Sequence, residues 1–487
     1  MRKLSSILYV SLAVALCCTG CKKWLDVHPE NNLSDDKLFA DANGFRIALN
    51  GVYQQASGYQ LYGKPLSWGL ASAMGQEYDR NTVDGDMYQV MGYNWDDDNV
   101  KGMFSGIWSA AYNTIANCNK IITEIEKADT MIFPLKGVER DLILGEAKAL
   151  RGLLHFELVK LFAPAPMKNR TVNAIPYQLS YPSYVTAPST VDVVMKNVIK
   201  DLEDAQQLVV RNDTITNRSA MSQKLQSLLS GSSQTQGGLF FNFRMHRMNY
   251  VAIQGLLARV YLYNGDRENA LKKAEFLYKT YSPAGRLKWW AFTNESESKG
   301  ENKYSKLVDD VILAFYDTRL IEYFVTTKAS WYDFAVSRSE VNKYMPPTER
   351  DYRRNLIDEA KYTSAKWNEN LSTWQWRKEQ NSIIPVLRFS EIYYIYSETL
   401  FEAGRTNEAL TVLNQIRNAR GRTTTFSSTV PGDFYKELFD EFHREFLLEG
   451  QVIFQHKRLD RSLQVETQTI PMDNRFVLAI PDSETNF

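Results

Sequence analysis

The chain is short of cysteine. It has four in 487 residues, and three of them, Cys17, Cys18 and Cys21, sit together near the start. That leaves Cys118 alone in the body of the chain, so no internal disulfide can brace it and a hydrophobic core must. Net charge is missing as well: 57 Lys and Arg stand against 57 Asp and Glu. No overall field would gather nucleic acid or an anionic surface. The five histidines, His28, His155, His246, His443 and His456, show no two-ligand metal spacing such as H-E-x-x-H. There is no G-x-S-x-G elbow and no phosphate-cradling glycine loop. Asp96-Asp97-Asp98 lacks the alternation and glycine of a calcium loop and reads as a solvated turn. No catalytic residue, metal or cofactor is therefore expected. No apolar run reaches the ~20 residues that a membrane-spanning helix needs.

Other features are plentiful. Arg2 and Lys3 precede an apolar run from Leu4 to Cys18, then Thr19-Gly20 and Cys21. A basic start, a short apolar segment and small residues before a cysteine describe a bacterial lipoprotein signal. Residues 1–20 are expected to be removed, and Cys21 to become an acylated first residue anchored in a membrane. Aromatic residues make up 13% of the chain, with 27 Tyr and 10 Trp. In a neutral protein that points to surfaces that bind something flat with polar edges.

Helical periodicity dominates the rest. Ile107, Ala111, Ile115, Cys118, Ile122 and Ile125 recur at threes and fours, which puts Cys118 on a buried stripe as an inert core thiol. Ile143 to Leu161 mark another helix, closed by Ala163-Pro164-Ala165-Pro166. Ser189 with Asp192 suggests a capped start for the next. Residues 212–238, rich in Ser, Gln, Thr and Gly, read as an exposed excursion. Two later segments resemble each other: Gly265 and Gly404 each stand five residues before an Ala-Leu pair, at 270 and 409. This is the helix–turn–helix logic of tetratricopeptide repeats, with long insertions between copies.

Read together, these segments resemble the SusD/RagB family of outer-membrane lipoproteins of Bacteroidota. The resemblance runs from Cys21-Lys22-Lys23-Trp24 through Trp108-x-x-x-Tyr112-x-x-Ile115-x-x-x-Asn119 and Glu146 to Phe162. It continues through Ile199 to Ala205, Leu387 to Glu398, and Glu441, Glu445, Glu449 and Gly450. It implies a mainly α SusD-like fold, with tetratricopeptide-like helix pairs, long loop insertions and minor β structure. The implied division is an N-terminal region over 21–230 and a C-terminal region over 231–487, forming one compact unit. The implied function is capture of a nutrient, an oligosaccharide or else a peptide, without chemistry. Delivery would be to a SusC-like TonB-dependent transporter at the cell surface. The family's Arg-Trp pair and aspartate are replaced by Val452-Ile453 and Gln455, and Phe442 stands where an arginine is usual. Lys22-Lys23 supplies none of the acidic residues often linked to surface display, so an outward orientation rests on the resemblance alone.

A sugar ring exposes C–H faces for an aromatic ring and hydroxyls for Asp, Asn, Arg or Gln at its rim. The irregular stretch holding Asp79, Arg80, Tyr93 and Trp95 carries both kinds. In the family, the loop after the first helix commonly contributes to the ligand site. Trp289, Trp290 and Trp331, in later insertions, complete the expected ligand contacts. The charged positions Arg388, Glu391, Glu398, Glu441, Glu445 and Glu449 are read as a structural ion-pair network, against a reading as acid and base.

Overall fold

A computed structural model describes residues 35–224, 227, 238–327, 333–368, 378–465 and 467–484. Cys21 and Trp331 lie outside the described residues. The first long helix, α1 (Ala42–Ser57), starts where Asp41 accepts a hydrogen bond from Gly44 N at 2.9 Å. That is the N-cap role a short carboxylate plays at orphan amide groups. Helices α2 (Asp98–Lys127), α3 (Gly137–Phe162) and α4 (Val191–Arg211) follow. The cap of α4 is Thr190, not Ser189, and the two form a short strand leading into it.

Helices α2, α3 and α4 pack side by side. Gly152 lets α3 approach α4 closely, since a Cβ there would lie 3.2 Å from Cβ of Asp201. Next to it, Arg151 makes a two-pronged ion pair with Asp201, at 2.8 and 2.6 Å, and donates to Asn119 of α2 at 2.8 Å. Two helical hairpins come next: α5 (Tyr250–Tyr263) with α6 (Arg267–Tyr281), and α7 (Phe389–Glu402) with α8 (Thr406–Ala419). Their turns place Gly265 at φ +80° and Gly404 at φ +75°, the left-handed region that glycine enters at no steric cost. The paired glycines in the sequence thus mark real reversals, and α6 packs on α7 to join the hairpins.

Between the hairpins runs the one long ladder among the described residues. Strand β1 (Val311–Tyr316) pairs antiparallel with β2 (Ile383–Arg388). Helices α9 (Pro431–Phe446) and α10 (Val452–Arg458) follow. A hydrophobic core runs from Ala42 to Leu478, and Cys118 lies fully buried in it. Burial pushes the Cys118 thiol up to about 12, as expected of a packing residue. Of the exposed excursion expected over 212–238, residues 225, 226 and 228–237 lie outside the described residues, and 212–222 are mixed: Ile215 is 74% exposed, but five of the eleven are buried. Asn212 and Asp213 are fully buried, because Arg244 reaches Asp213 at 2.6 and 2.9 Å.

Candidate functional site

The structure distributes the sequence-derived contacts over several places. Asp79 caps a turn at Arg80–Thr82, accepting from Asn81 N at 3.0 Å. Its own amide donates to Ala335 O at 2.8 Å, and Phe334 N donates to Thr82 O at 3.0 Å. The turn is thereby fastened to the chain just after Trp331. Arg80 lies 3.9 Å over the ring of Tyr88. Tyr93 donates its hydroxyl to Met74 O at 3.0 Å, and Trp95 its indole N–H to Arg475 O at 2.8 Å. Their half-buried rings meet edge-on, 5.7 Å apart, with Phe476 and Phe104 beyond. Both clamp the C-terminal segment onto the start of α2. Trp289 is half-buried against Tyr281, at 4.9 Å. Trp290 needs correcting. It is 1% exposed, its N–H is donated to Val311 O at 2.9 Å, and it presents no face to a ligand. A tandem Trp-Trp in an insertion reads as a surface pair, but here the second ring fills the space under β1.

A cleft of about 720 Å³ opens elsewhere, between the outward face of α1, the segment 242–247 and the end of β1. Its geometry follows from strand alternation. Phe315 turns inward, 5.9 Å from Tyr53 and 4.9 Å from Tyr62, so Tyr316 turns outward and is 46% exposed. Tyr316 donates to Glu379 Oε2 at 2.5 Å. Its phenol is pushed up to about 12, by burial first and then by that carboxylate. Across the cleft Phe243, 37% exposed, is held at φ +59°, a conformation a bulky residue adopts only when its surroundings impose it. Arg247 lies 4.3 Å over the Tyr53 ring and donates to Asn50 at 2.9 Å and to Glu146 at 3.2 Å. The Tyr53 hydroxyl is taken up within the protein, donating to Glu146 and accepting from Met248 N at 2.8 Å. Burial, then Glu146, raise its pKa. His246, also in the wall, is lowered to about 4 by burial and is neutral at pH 7.

The cleft therefore offers ring faces from Phe243 and Tyr316, with amides and carboxylates at their edges. Asp317 accepts from Arg319 N at 2.8 Å and from the Tyr323 hydroxyl at 2.9 Å. Both cleft carboxylates, Asp317 and Glu379, are thus already engaged by a tyrosine. Sequence reasoning missed these rings. The available signal was Tyr316, a tyrosine closing an apolar strand just before Asp317-Thr318.

The charged signature positions form no such opening. Arg259 pairs with Glu391 at 2.6 Å and Arg458 with Glu398 at 2.8 Å, around a void of only about 40 Å³. Arg388 and Arg420 converge on Glu445 at 2.7 and 2.6 Å, while Arg353 bridges Glu441 and Glu445 at 2.9 and 3.2 Å. These groups are buried and mutually neutralised, the condition under which charges persist in a core. Among the described residues, no group of three or more His, Cys, Asp or Glu is placed to hold a metal.

Two family models cover most of this chain. One, described as starch-binding and associating with the outer membrane, matches residues 23–225. The other, described as the SusD family, matches residues 246–478. The chain belongs to the SusD family. Solved structures agree on the fold. A SusD superfamily protein from Bacteroides thetaiotaomicron superposes with a TM-score of 0.71 at 22% identity, covering 91% of this chain and 97% of its own. A SusD-like carbohydrate binding protein from Bacteroides vulgatus gives 0.66 at 18%, covering 91% and 95%. A SusD superfamily protein from Bacteroides fragilis gives 0.66 at 17%, covering 92% and 98%. No curated protein matches the chain. The SusD assignment supports a nutrient- or carbohydrate-binding role and association with the outer membrane. No helix among the described residues is long and apolar enough to cross a membrane.

Proposed function

We propose that this SusD-family protein captures an oligosaccharide in the cleft between α1 and β1 and passes it, unreacted, to a SusC-like TonB-dependent transporter. In this reading Cys21 carries the acyl anchor and the protein works at the outer membrane. The cleft carries the proposal. Exposed ring faces of Phe243 and Tyr316, edged by amides and carboxylates, suit the C–H faces and hydroxyls of a pyranose chain. Both cleft carboxylates accept from tyrosines, which favours holding a ligand over cleaving it. Arg80, stacked on exposed Tyr88, with Asp79 beside it, is the solvent-facing remainder of the sequence-derived site. It serves as a second contact for a longer ligand.

Affinity should be modest, roughly 4 to 8 kcal/mol, so that release to the transporter is not impeded. Titration calorimetry with a panel of oligosaccharides and peptides tests this. Tyr316→Ala and Phe243→Ala should each weaken the best ligand about tenfold, since an aromatic contact contributes about 1.5 kcal/mol. Shortened products after prolonged incubation would show an enzyme instead. Affinity confined to peptides would reassign the ligand class.

A further inference from the structure

One surface loop is built in an unexpected way. In the segment 178–186, Leu179 is 55% exposed, Tyr184 69% and Val185 83%. The loop is nonetheless braced from within. Gln178 N donates to Nε2 of buried His155 at 3.1 Å, and Asn119 donates to Gln178 O and Ser180 O at 3.1 and 3.3 Å. The Gln178 side chain then crosses the loop to Tyr184 O at 3.1 Å. Burial lowers the His155 pKa to about 3, so its Nε2 stays an acceptor, and its ring stacks on Tyr177 at 3.8 Å. Buried polar groups thus hold apolar side chains out into solvent, where large apolar groups clustered together mark a contact surface.

The start of the described residues, at Phe39, arrives at the same face. The Lys120 ammonium lies 5.3 Å from the ring of Tyr181, within this loop, and 5.9 Å from the ring of Phe39. Phe39 packs on Phe45 at 4.9 Å, and Phe45 on Phe133 at 5.4 Å. Cys21 stands only 14 positions before Asp35 (35 − 21), a span of at most ~50 Å even if fully extended. We propose that Leu179, Tyr184 and Val185 form a membrane-resting face that seats in the interface of the bilayer to which Cys21 is tethered. Tyrosine at headgroup depth with aliphatic neighbours is the chemistry that interface favours. The proposal rests on the reading of Cys21 as the anchor, and its test separates the two.

Expressed without residues 1–20, and so not acylated, the protein has only two thiols, Cys21 and the buried Cys118. Cys21 is coupled through a maleimide headgroup to vesicles of phosphatidylethanolamine and phosphatidylglycerol. Amide hydrogen exchange is then compared with that of uncoupled protein among the same vesicles. Exchange across 178–186 should slow about fivefold on coupling. The combined Leu179→Ser, Tyr184→Ser and Val185→Ser substitution should remove that slowing and leave the melting temperature unchanged. Unchanged exchange on coupling, or slowing that survives the triple substitution, overturns the proposal. So does slowing that appears only when the transporter is added, which would assign the face to a protein. Flotation of the protein expressed with its own residues 1–20 tests acylation separately, because the chemical tether does not depend on it.

Discussion

Trp95 and Arg244 are single residues whose roles depend on contacts remote in sequence. Trp95→Phe keeps the ring against Phe104 and removes the N–H donated to Arg475 O. The expected cost is about 1 kcal/mol in urea unfolding, with glycan affinity unchanged. A large loss of affinity would restore Trp95 to the ligand site. Arg244→Met should cost far more, about 3 to 5 kcal/mol, because Asp213 would stay buried without a counter-charge and Glu146 would keep only Arg247. A fall in the urea midpoint measures it. Neither contact could be read from the sequence. Asp213 sits in a polar tract that looks solvated, and the cation that buries it lies 31 residues on. Trp95 similarly looks like a free loop aromatic until a segment 380 residues away closes over its N–H.

Elements were far more legible than side-chain roles. Periods of three and four located α2 and α3, and the paired glycines located both hairpin turns. The β1–β2 ladder was not located, because a short apolar run such as Val311–Phe315 has the same pattern in a buried strand as in a buried helix. The cleft depends on that ladder, so it was hidden with it. Four substitutions test the elements directly. Thr190→Ala should destabilise α4 by about 1 kcal/mol, because the Thr190 hydroxyl accepts from Val193 N at 3.4 Å, whereas Ser189→Ala should be near neutral. Gly404→Ala meets open space and should cost only the left-handed strain, about 1 to 2 kcal/mol. Gly265→Ala should cost about the same, because the Met167 side chain that its Cβ would meet is 58% exposed and can swing aside. Thermal melts of the four variants give the order.

At the scale of the molecule, the buried ion pairs set the response to acid. Burial alone would raise the Glu441 carboxyl, but Arg353, Arg444 and Arg422 outweigh it and hold it at about 2. Glu445 is likewise held well below its ordinary 4.5, where Arg420, Arg388 and Arg353 overcome burial. The unfolded chain binds these protons more readily. The stabilisation is therefore complete above pH 4.5 and is lost as pH falls toward 2. His155, lowered to about 3 by burial, adds a loss that begins near 6.5. Glu77 and Asp309, raised by burial to about 8 and about 6, act oppositely at higher pH. The urea midpoint should thus fall most steeply below pH 4.5, and less steeply in Glu445→Gln relative to its own value at pH 7. The same lattice constrains the order in which the chain can settle during synthesis. Arg388 and Arg420 precede Glu445 and Glu449, their chief counter-ions, so two guanidiniums wait for carboxylates not yet made, whereas Arg353 already has Asp351 beside it. Until the last tenth of the polypeptide emerges these two have only Asp310 to meet, so the lattice is completed late in synthesis.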